Sequence, residues 1–475
     1  MSKTIIIKEV TLMRTRKVFL LFFLMILLAM TGCIKSYTPE VKEITLTGPG
    51  SVGFSVTTKP ANCSVTWTLD GAVVATGQSY VFTADDTSIG DHTLTATDAM
   101  KAKVTWTLHV KQPIQDWTMF QGNAKHTGYV PVTLDPANFT TEWNVKISTN
   151  GKLNPLAASD GKVFVTESGT YKKLHVLDST TGSALWELDF GKVHSLSSPS
   201  IDNGVVYVQT GLGEGSSITD AYLRAYDITT GDFIFRSIIK TQWEDFYAPT
   251  IYENNIYTNG GYYGGCYAFG PDGVQLWWIT LNQYDKWAPA VDENYVYAYT
   301  GDYDPKLSVI DRITGLVSYE IDDPNFDWDG WSMNLAPILG TKNNIIAIHD
   351  GRLISFDLIN KKIGYEISSS FTGQPAVANG VIYCINAGAL EARDESTGSK
   401  LWAMEAPDTN IFQGSILATN GHVFVSTASN TYAVSINTHK AVWTFTGANT
   451  PAWSDGHLYL MTSDYKVISI SAYGN

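Results

Sequence analysis

The sequence predicts an all-β protein: an eight-bladed β-propeller preceded by a small immunoglobulin-like β-sandwich. Three observations predict it. A short strand motif recurs eight times at the spacing of a propeller blade. A proline or glycine recurs at the start of each blade's first strand. The strand that should end the last blade stands instead ahead of the first. Aromatic residues make up 12% of the 475 and charged ones 16%, a balance that suits strands burying large surfaces and not a disordered chain.

The first element is an address. Arg14, Arg16 and Lys17 precede an uncharged apolar run from Val18 to Met30, too short to span a bilayer comfortably as a helix but suited to a secretory leader. Met13 fits the start of such a leader better than Met1. The run ends in "MTGC", small residues before Cys33, which resembles the lipobox of bacterial lipoproteins. The resemblance implies a signal peptide over 1–32, cleavage before Cys33, lipidation of its thiol and a lipidated tether over 33–40. It also implies attachment to the outer membrane, because Ile34 is not the aspartate that retains some lipoproteins at the inner one. The chain carries a net charge of −14, and the leader that would be removed is basic. So acidic a protein repels phosphate backbones, which excludes nucleic acid as the expected partner. Cys63, Cys266 and Cys384 are far apart and form no C-x-x-C, so each is expected as a small buried apolar residue.

The second element, 41–111, alternates apolar and polar residues in short runs: "GFSVTT", "SVTWTLDG", "SYVFTA", "HTLTATDA" and "KVTWTLHV". Asp70-Gly71 marks a hairpin turn. The pattern resembles an immunoglobulin-like or PKD-like domain with Trp67 at its core and no inter-sheet disulfide. Residues 112–139 follow as a linker and lead-in.

The third element, 140–475, is repetitive. The recurring strands are "KLHVLD", "YLRAYD", "GCYAFG", "KLSVID", "RLISFD", "ALEARD", "NTYAVS" and "KVISIS". Several run into Asp-x-x-Thr-Gly, as at Asp178–Gly182, Asp227–Gly231 and Asp394–Gly398, where Asp bonds turn amides and Gly accepts a positive φ. An aromatic follows seven of the eight: Trp186, Phe235, Trp277, Tyr319, Tyr365, Trp402 and Trp443. The eighth copy reaches the end of the chain first, and the missing strand is "TTEWNVKI", 140–147, with Trp143 one period too early. Its pairing with the last blade closes the ring and hides two sheet edges. Inner strands are expected to start at Pro155, Pro199, Pro249, Pro289, Pro337, Pro375, Gly414 and Pro451.

The Asp-x-x-Thr-Gly…Trp repeat, with "WTMFQGNAKHTGY" ahead of it, resembles PQQ-like β-propellers, a group holding quinoprotein dehydrogenases and outer-membrane assembly lipoproteins of the BamB type. The resemblance covers about three-quarters of the chain and implies that the repeat aromatics dock blade to blade and hold no cofactor. Quinoprotein dehydrogenases use a vicinal cysteine pair and long inserted loops, and this chain has neither. No cofactor is therefore expected, and a PQQ- or calcium-dependent enzyme is the third-ranked reading.

Other motifs point nowhere further. "GLGEGSS", 211–217, lies between strands and lacks the helix that a phosphate loop needs. Asn325, Asp327 and Asp329 match the start of a calcium loop, but position 12 is Ala336 instead of a bidentate Glu. The nine histidines show no metal spacing, and His194-Ser195 lacks a nucleophile elbow. One constellation stands out in three successive links between blades: Trp243, Glu244, Asp245, Phe246 and Tyr247; Tyr284, Asp285 and Trp287; Asp327, Trp328, Asp329 and Trp331. Rings beside acids on one rim suit a partner protein's strand and basic side chains, or sugar faces. The expected function is a non-catalytic, monomeric scaffold binding an envelope protein through this rim, with surface glycan binding as the alternative.

Overall fold

The computed structural model describes residues 32–472 except 48–49, 85–87, 89, 112–114, 150, 170–171, 212–220, 240–247, 261–263, 282–286, 302–304, 328–334 and 448–449. The chain divides into two compact units, Met1–Ile114 and Gln115–Asn475.

The first unit is a two-sheet β-sandwich. Its strands are β1 (Ile34–Thr38), β2 (Glu43–Thr47), β3 (Gly50–Thr58), β4 (Val65–Leu69), β5 (Ala72–Thr76), β6 (Ser79–Ala84), β7 (Gly90–Asp98) and β8 (Lys103–Lys111). One sheet runs β1-β3-β6 and the other β2-β8-β7-β4-β5. Alternate residues of both sheets bury Phe54, Trp67, Leu94, Trp106 and Leu108 between them, as a period of two requires. Trp67 and Trp106 stack at 5.8 Å, and each indole N–H donates to a carbonyl, Gly77 O and Pro39 O respectively. Two sequence expectations fail here. The stretch read as a tether is strand β1, antiparallel to β3. Cys63 is no lone apolar residue, because it forms a disulfide with Cys33. With Ile34 buried in the core, β1 is held against β3 and Cys33 comes beside the loop after that strand.

The second unit is a β-propeller. Its strands group into eight four-stranded units among the described residues. Blade 1 comprises Ala157–Ser159, Lys162–Thr166, Lys173–Asp178 and Ala184–Asp189, paired antiparallel in that order. The inner strands of blades 2–5 are Ser200–Asp202, Thr250–Tyr252, Ala290–Val291 and Ile338–Leu339. One long strand, Lys362–Ala378, serves as the outer strand of blade 5 and the inner strand of blade 6. Gln413–Ala418 and Thr450–Ser454 are the inner strands of blades 7 and 8. Strand β9 (Thr140–Lys146) lies antiparallel to Lys466–Ser471 with Trp143 opposite Ser469, so the ring is closed by its own beginning.

The seams between blades explain the repeat. A Cβ on Gly182 would lie 2.7 Å from the Trp143 ring, and one on Gly315 2.6 Å from Trp277. Gly231, Gly273 and Gly398 stand in the same relation to Trp186, Phe235 and Tyr365. The turn glycine thus supplies its positive φ and also the flat floor on which the preceding blade's ring rests. Trp143, Trp186 and Trp277 donate Nε1–H to Ser179 O, Ile228 O and Arg312 O, while Tyr319 and Tyr365 donate their hydroxyls to Leu358 O and Glu395 O. Each acceptor directly follows the turn aspartate. That aspartate's Oδ1 in turn accepts amide N–H groups, from Thr180 and Thr181 at Asp178.

The segment expected to be a lead-in does something else. Residues 116–132 hydrogen-bond to the inner strands of all eight blades. Trp117 exchanges two backbone bonds with Ala158 of blade 1, and Thr118 O accepts from Ile201 N of blade 2. His126 Nε2 lies 3.1 Å from Thr250 Oγ1 of blade 3. Ala124 O, Lys125 O, Thr127 O and Gly128 O accept from Val291, Leu339, Val377 and Ala418, on blades 4 to 7. Asp116 accepts from Ser159 of blade 1 and Ser454 of blade 8, bridging the closing seam. To reach all eight, the segment crosses the middle of the ring where the inner strands finish. Its carbonyls satisfy inner-strand amides that would otherwise face an open channel.

Candidate functional site

Residues 116–132 cross the ring at the end where the inner strands finish, and the links between blades lie at the other end. Of the residues expected to form a binding arc, Trp243, Glu244, Asp245, Phe246, Tyr247, Tyr284, Asp285, Trp328, Asp329 and Trp331 lie outside the described residues. Two are described, and they part company. Asp327 is exposed. Trp287 is buried at 1% exposure, packed in the core of blades 2 to 4 with its Nε1 unpartnered. Trp287 is therefore a core residue and not a rim contact: it belongs to the buried cluster that holds Tyr257, Tyr267 and Trp277.

The described end of the arc is a built pedestal at the seam of blades 4 and 5. Asp323 is fully buried and meets Arg352 twice, Nη1–Oδ1 at 3.1 Å and Nη2–Oδ2 at 2.9 Å. Arg352 also pairs with Glu366 at 3.1 Å, and Asn325 donates its side-chain N–H to the other Glu366 oxygen at 2.8 Å. Tyr299 of blade 4 donates its hydroxyl to Asp323 at 2.6 Å. Burial, and then the Asp323 charge beside it, pushes the Tyr299 hydroxyl up. Burial alone would lower the Arg352 guanidinium, but Asp323, Tyr299 and Glu366 outweigh it and push it up. A buried ion pair of this kind fixes geometry more than it stabilises the fold. Above it, Phe326 stacks on His349 at 4.1 Å and 6°. Gly301 has no side chain because Phe326 fills the space that a Cβ would need. The result is a braced base that ends at Asp327.

Of the calcium candidates, Asn325 donates its side-chain N–H to Glu366, the Asp327 carbonyl faces His349 Nε2 at 3.2 Å, and Asp329 lies outside the described residues. Among the described residues, the group that brings three potential ligand atoms together is Cys33, Cys63 and Asp98, two of them joined in the disulfide. Cys266 and Cys384 are buried thiols, and burial pushes Cys384 up to about 12.

Other polar clusters were missed in the sequence. His175 lies between Glu167 (2.7 Å) and Glu187 (2.9 Å) on blade 1. Glu391 pairs with Arg393 and Lys400 on blade 6. The signal was available: three residues before the turn aspartate, "KLHVLD", "YLRAYD" and "ALEARD" carry His175, Arg224 and Glu391 where "RLISFD" has Ile354.

A family profile described as outer membrane protein assembly factor BamB matches residues 126–249, 219–387 and 386–474. The chain belongs to this family. The matched span begins inside the axial segment and takes in nearly the whole ring. BamB from Moraxella catarrhalis superposes with a TM-score of 0.53 at 15% identity, covering 70% of this chain and 97% of that one. The computationally designed Ika8 protein superposes with a TM-score of 0.52 at 14% identity, covering 68% and 96%. A europium-containing methanol dehydrogenase reaches a TM-score of 0.37 at 13% identity, covering 74% and 89%. At these identities the likeness concerns the fold. No curated protein matches the sequence.

Proposed function

We propose that this BamB-family protein is an exported, non-catalytic scaffold of the cell envelope, binding another envelope protein through the rim that includes the pedestal at Asp323–Asp327. The observation that carries this reading is the family match, whose description is that of an assembly factor, over a ring that residues 116–132 cross at one end. The family's description as an assembly factor supports a protein partner. The immunoglobulin-like sandwich lies between the leader and the eight-bladed ring in the chain and serves as a spacer.

Lipid attachment at Cys33 is part of the same proposal. An acylated sulfur cannot also bond Cys63. The disulfide and the acyl group are thus alternatives for the one sulfur. Affinity purification of the tagged protein from cross-linked envelopes, with Trp243, Trp328 and Trp331 each changed to Ala, tests the scaffold. The same envelope protein should be recovered with the wild type and lost with the triple variant. Equal recovery with both, or sugar binding on a glycan array that the triple variant loses, would overturn it. The mass of the membrane-extracted chain tests the acyl group.

A further inference from the structure

The start of the sandwich holds a buried carboxylate in an unusual place. Asp98 ends β7 at 3% exposure. Its Oδ1 accepts from Met100 N and Ala102 N at 2.9 Å each, closing the turn into β8. Its Oδ2 is turned the other way, accepting from Cys33 N at 2.5 Å and Ile34 N at 3.0 Å. Four donors saturate it, yet no cationic side chain pairs with Asp98 among the described residues. Burial alone would raise this carboxyl; the amides of Ile34, Ala102, Cys33 and Met100 outweigh it and hold it below the ordinary range. Among the described residues it is therefore an anion with no ion-pair partner, which is costly to bury.

The nitrogen at its centre is not an ordinary one. Cys33 is the residue before which the "MTGC" motif calls for cleavage. In the uncut chain this nitrogen is an amide with one proton. After cleavage it is a primary amine, protonated at neutral pH, 2.5 Å from a carboxylate oxygen. We infer that the α-ammonium freed at Cys33 is the counter-ion of Asp98, so that processing locks the new N-terminus into the sandwich as a buried ion pair. The reaction is hydrolysis of the Gly32–Cys33 peptide bond: water adds to the Gly32 carbonyl carbon, the carbonyl keeps the hydroxyl, and the amine leaves protonated. Lys35 Nζ, which bonds Gly32 O at 2.8 Å before the cut, is the other charged group at this end of β1. N-acylation of Cys33 would keep one N–H for Asp98 but remove the charge, so the inference commits to a free amine.

It rests on the export reading above, but not on partner binding or on the sulfur's acylation. The test uses the full chain recovered from membranes of the expressing cell. N-terminal sequencing should open directly at residue 33, followed by Ile34. The rate at which a neutral amine-reactive reagent labels the α-amine should be at least about tenfold slower in the folded protein than in urea, because a buried ammonium offers no lone pair. Asp98→Asn, which keeps the shape and one acceptor, should label at close to the denatured rate. A blocked terminus, a chain that starts elsewhere, or equal labelling in folded and unfolded protein would each overturn the inference. The urea arm decides it even if Asp98→Asn does not fold. A free, protected amine on a chain without lipid would uphold the clamp while refuting the acylation.

Discussion

At five seams of the ring the aromatic of one blade lies on a glycine of the next; at two others it meets Lys361 or His439. Both kinds keep the same backbone. Lys361 and His439 hold φ at +52° and +56°, against +69° and +71° for Gly182 and Gly315. The difference lies in how the ring is received. Glycine gives it a bare floor. Lys361 instead places its ammonium 4.3 Å above Tyr319, and the His439 ring stacks on Trp402 at 4.8 Å and 17°. At the eighth seam Trp443 meets Phe139 edge-on, because the chain reaches β9 there and not a turn. At the seven seams that have it, the backbone turn is thus constant, and the floor under the ring can be chosen.

That contrast can be broken from the aromatic side first. Trp277→Ala removes a buried ring and its bond to Arg312 O, and should cost about 3–5 kcal/mol in urea unfolding. An effect under about 1 kcal/mol would mean that the seams do not hold the ring together. The floor comes next. Gly315→Ala sets a methyl 2.6 Å from the Trp277 ring, whereas at Gly161, with a similar φ, the nearest atom is 3.8 Å away. Both changes carry the strain of a positive φ, about 1 kcal/mol, but only Gly315→Ala should add about 1–3 kcal/mol of overpacking. Equal losses would mean that the glycine is there for φ alone.

What was legible in the sequence follows the same division. Turns are local: Asp178 to Gly182 carries its own instruction, and the aromatic four residues on repeats with it. The pairing of β9 with the last blade was readable because Trp143 kept the period of the other rings. The axial segment was not. It reaches the inner strands through backbone carbonyls of Thr118, Ala124, Lys125, Thr127 and Gly128, and carbonyls leave no trace in a pattern of side chains. Trp287 failed for a related reason, since "YDKWAP" has the composition of a rim link whether its tryptophan turns in or out. Cys33 and Cys63 are 30 residues apart and meet only because β1 pairs with β3, a tertiary fact.

The exceptional seams sharpen the comparison at smaller magnitude. Lys361→Gly relieves a positive φ worth about 1 kcal/mol and gives up a cation–π contact of about 0.5–1 kcal/mol, so it should be neutral or slightly stabilising. His439→Gly gives up a stacked pair worth about 0.5–1.5 kcal/mol for the same relief, and should fall within about 1 kcal/mol of neutral. A loss above about 2 kcal/mol at either site would show that the side chain, and not the turn, builds that seam.

At the link between blades 6 and 7 the expected effect comes from a charge and depends on pH. Asp408, between the outer strand Lys400–Met404 and the inner strand Gln413–Ala418, accepts from Asn430 Nδ2 at 2.7 Å, Thr427 Oγ1 at 2.9 Å and Asn410 N at 3.0 Å. Burial alone would raise its carboxyl; the bonds from Asn430, Asn410 and Thr427 outweigh it and bring it down to about 2. An unfolded aspartate titrates near 3.9, so the native state binds this proton more weakly. The stabilisation is then present above about pH 4 and is lost as pH falls toward 2. Asp408→Asn cannot titrate. The stability gap between wild type and variant should stay level from pH 7 to 5, shrink between pH 4 and 2, and stop changing below that. A gap that does not change with pH across that window would mean that the link is held by its shape and not by the Asp408 charge.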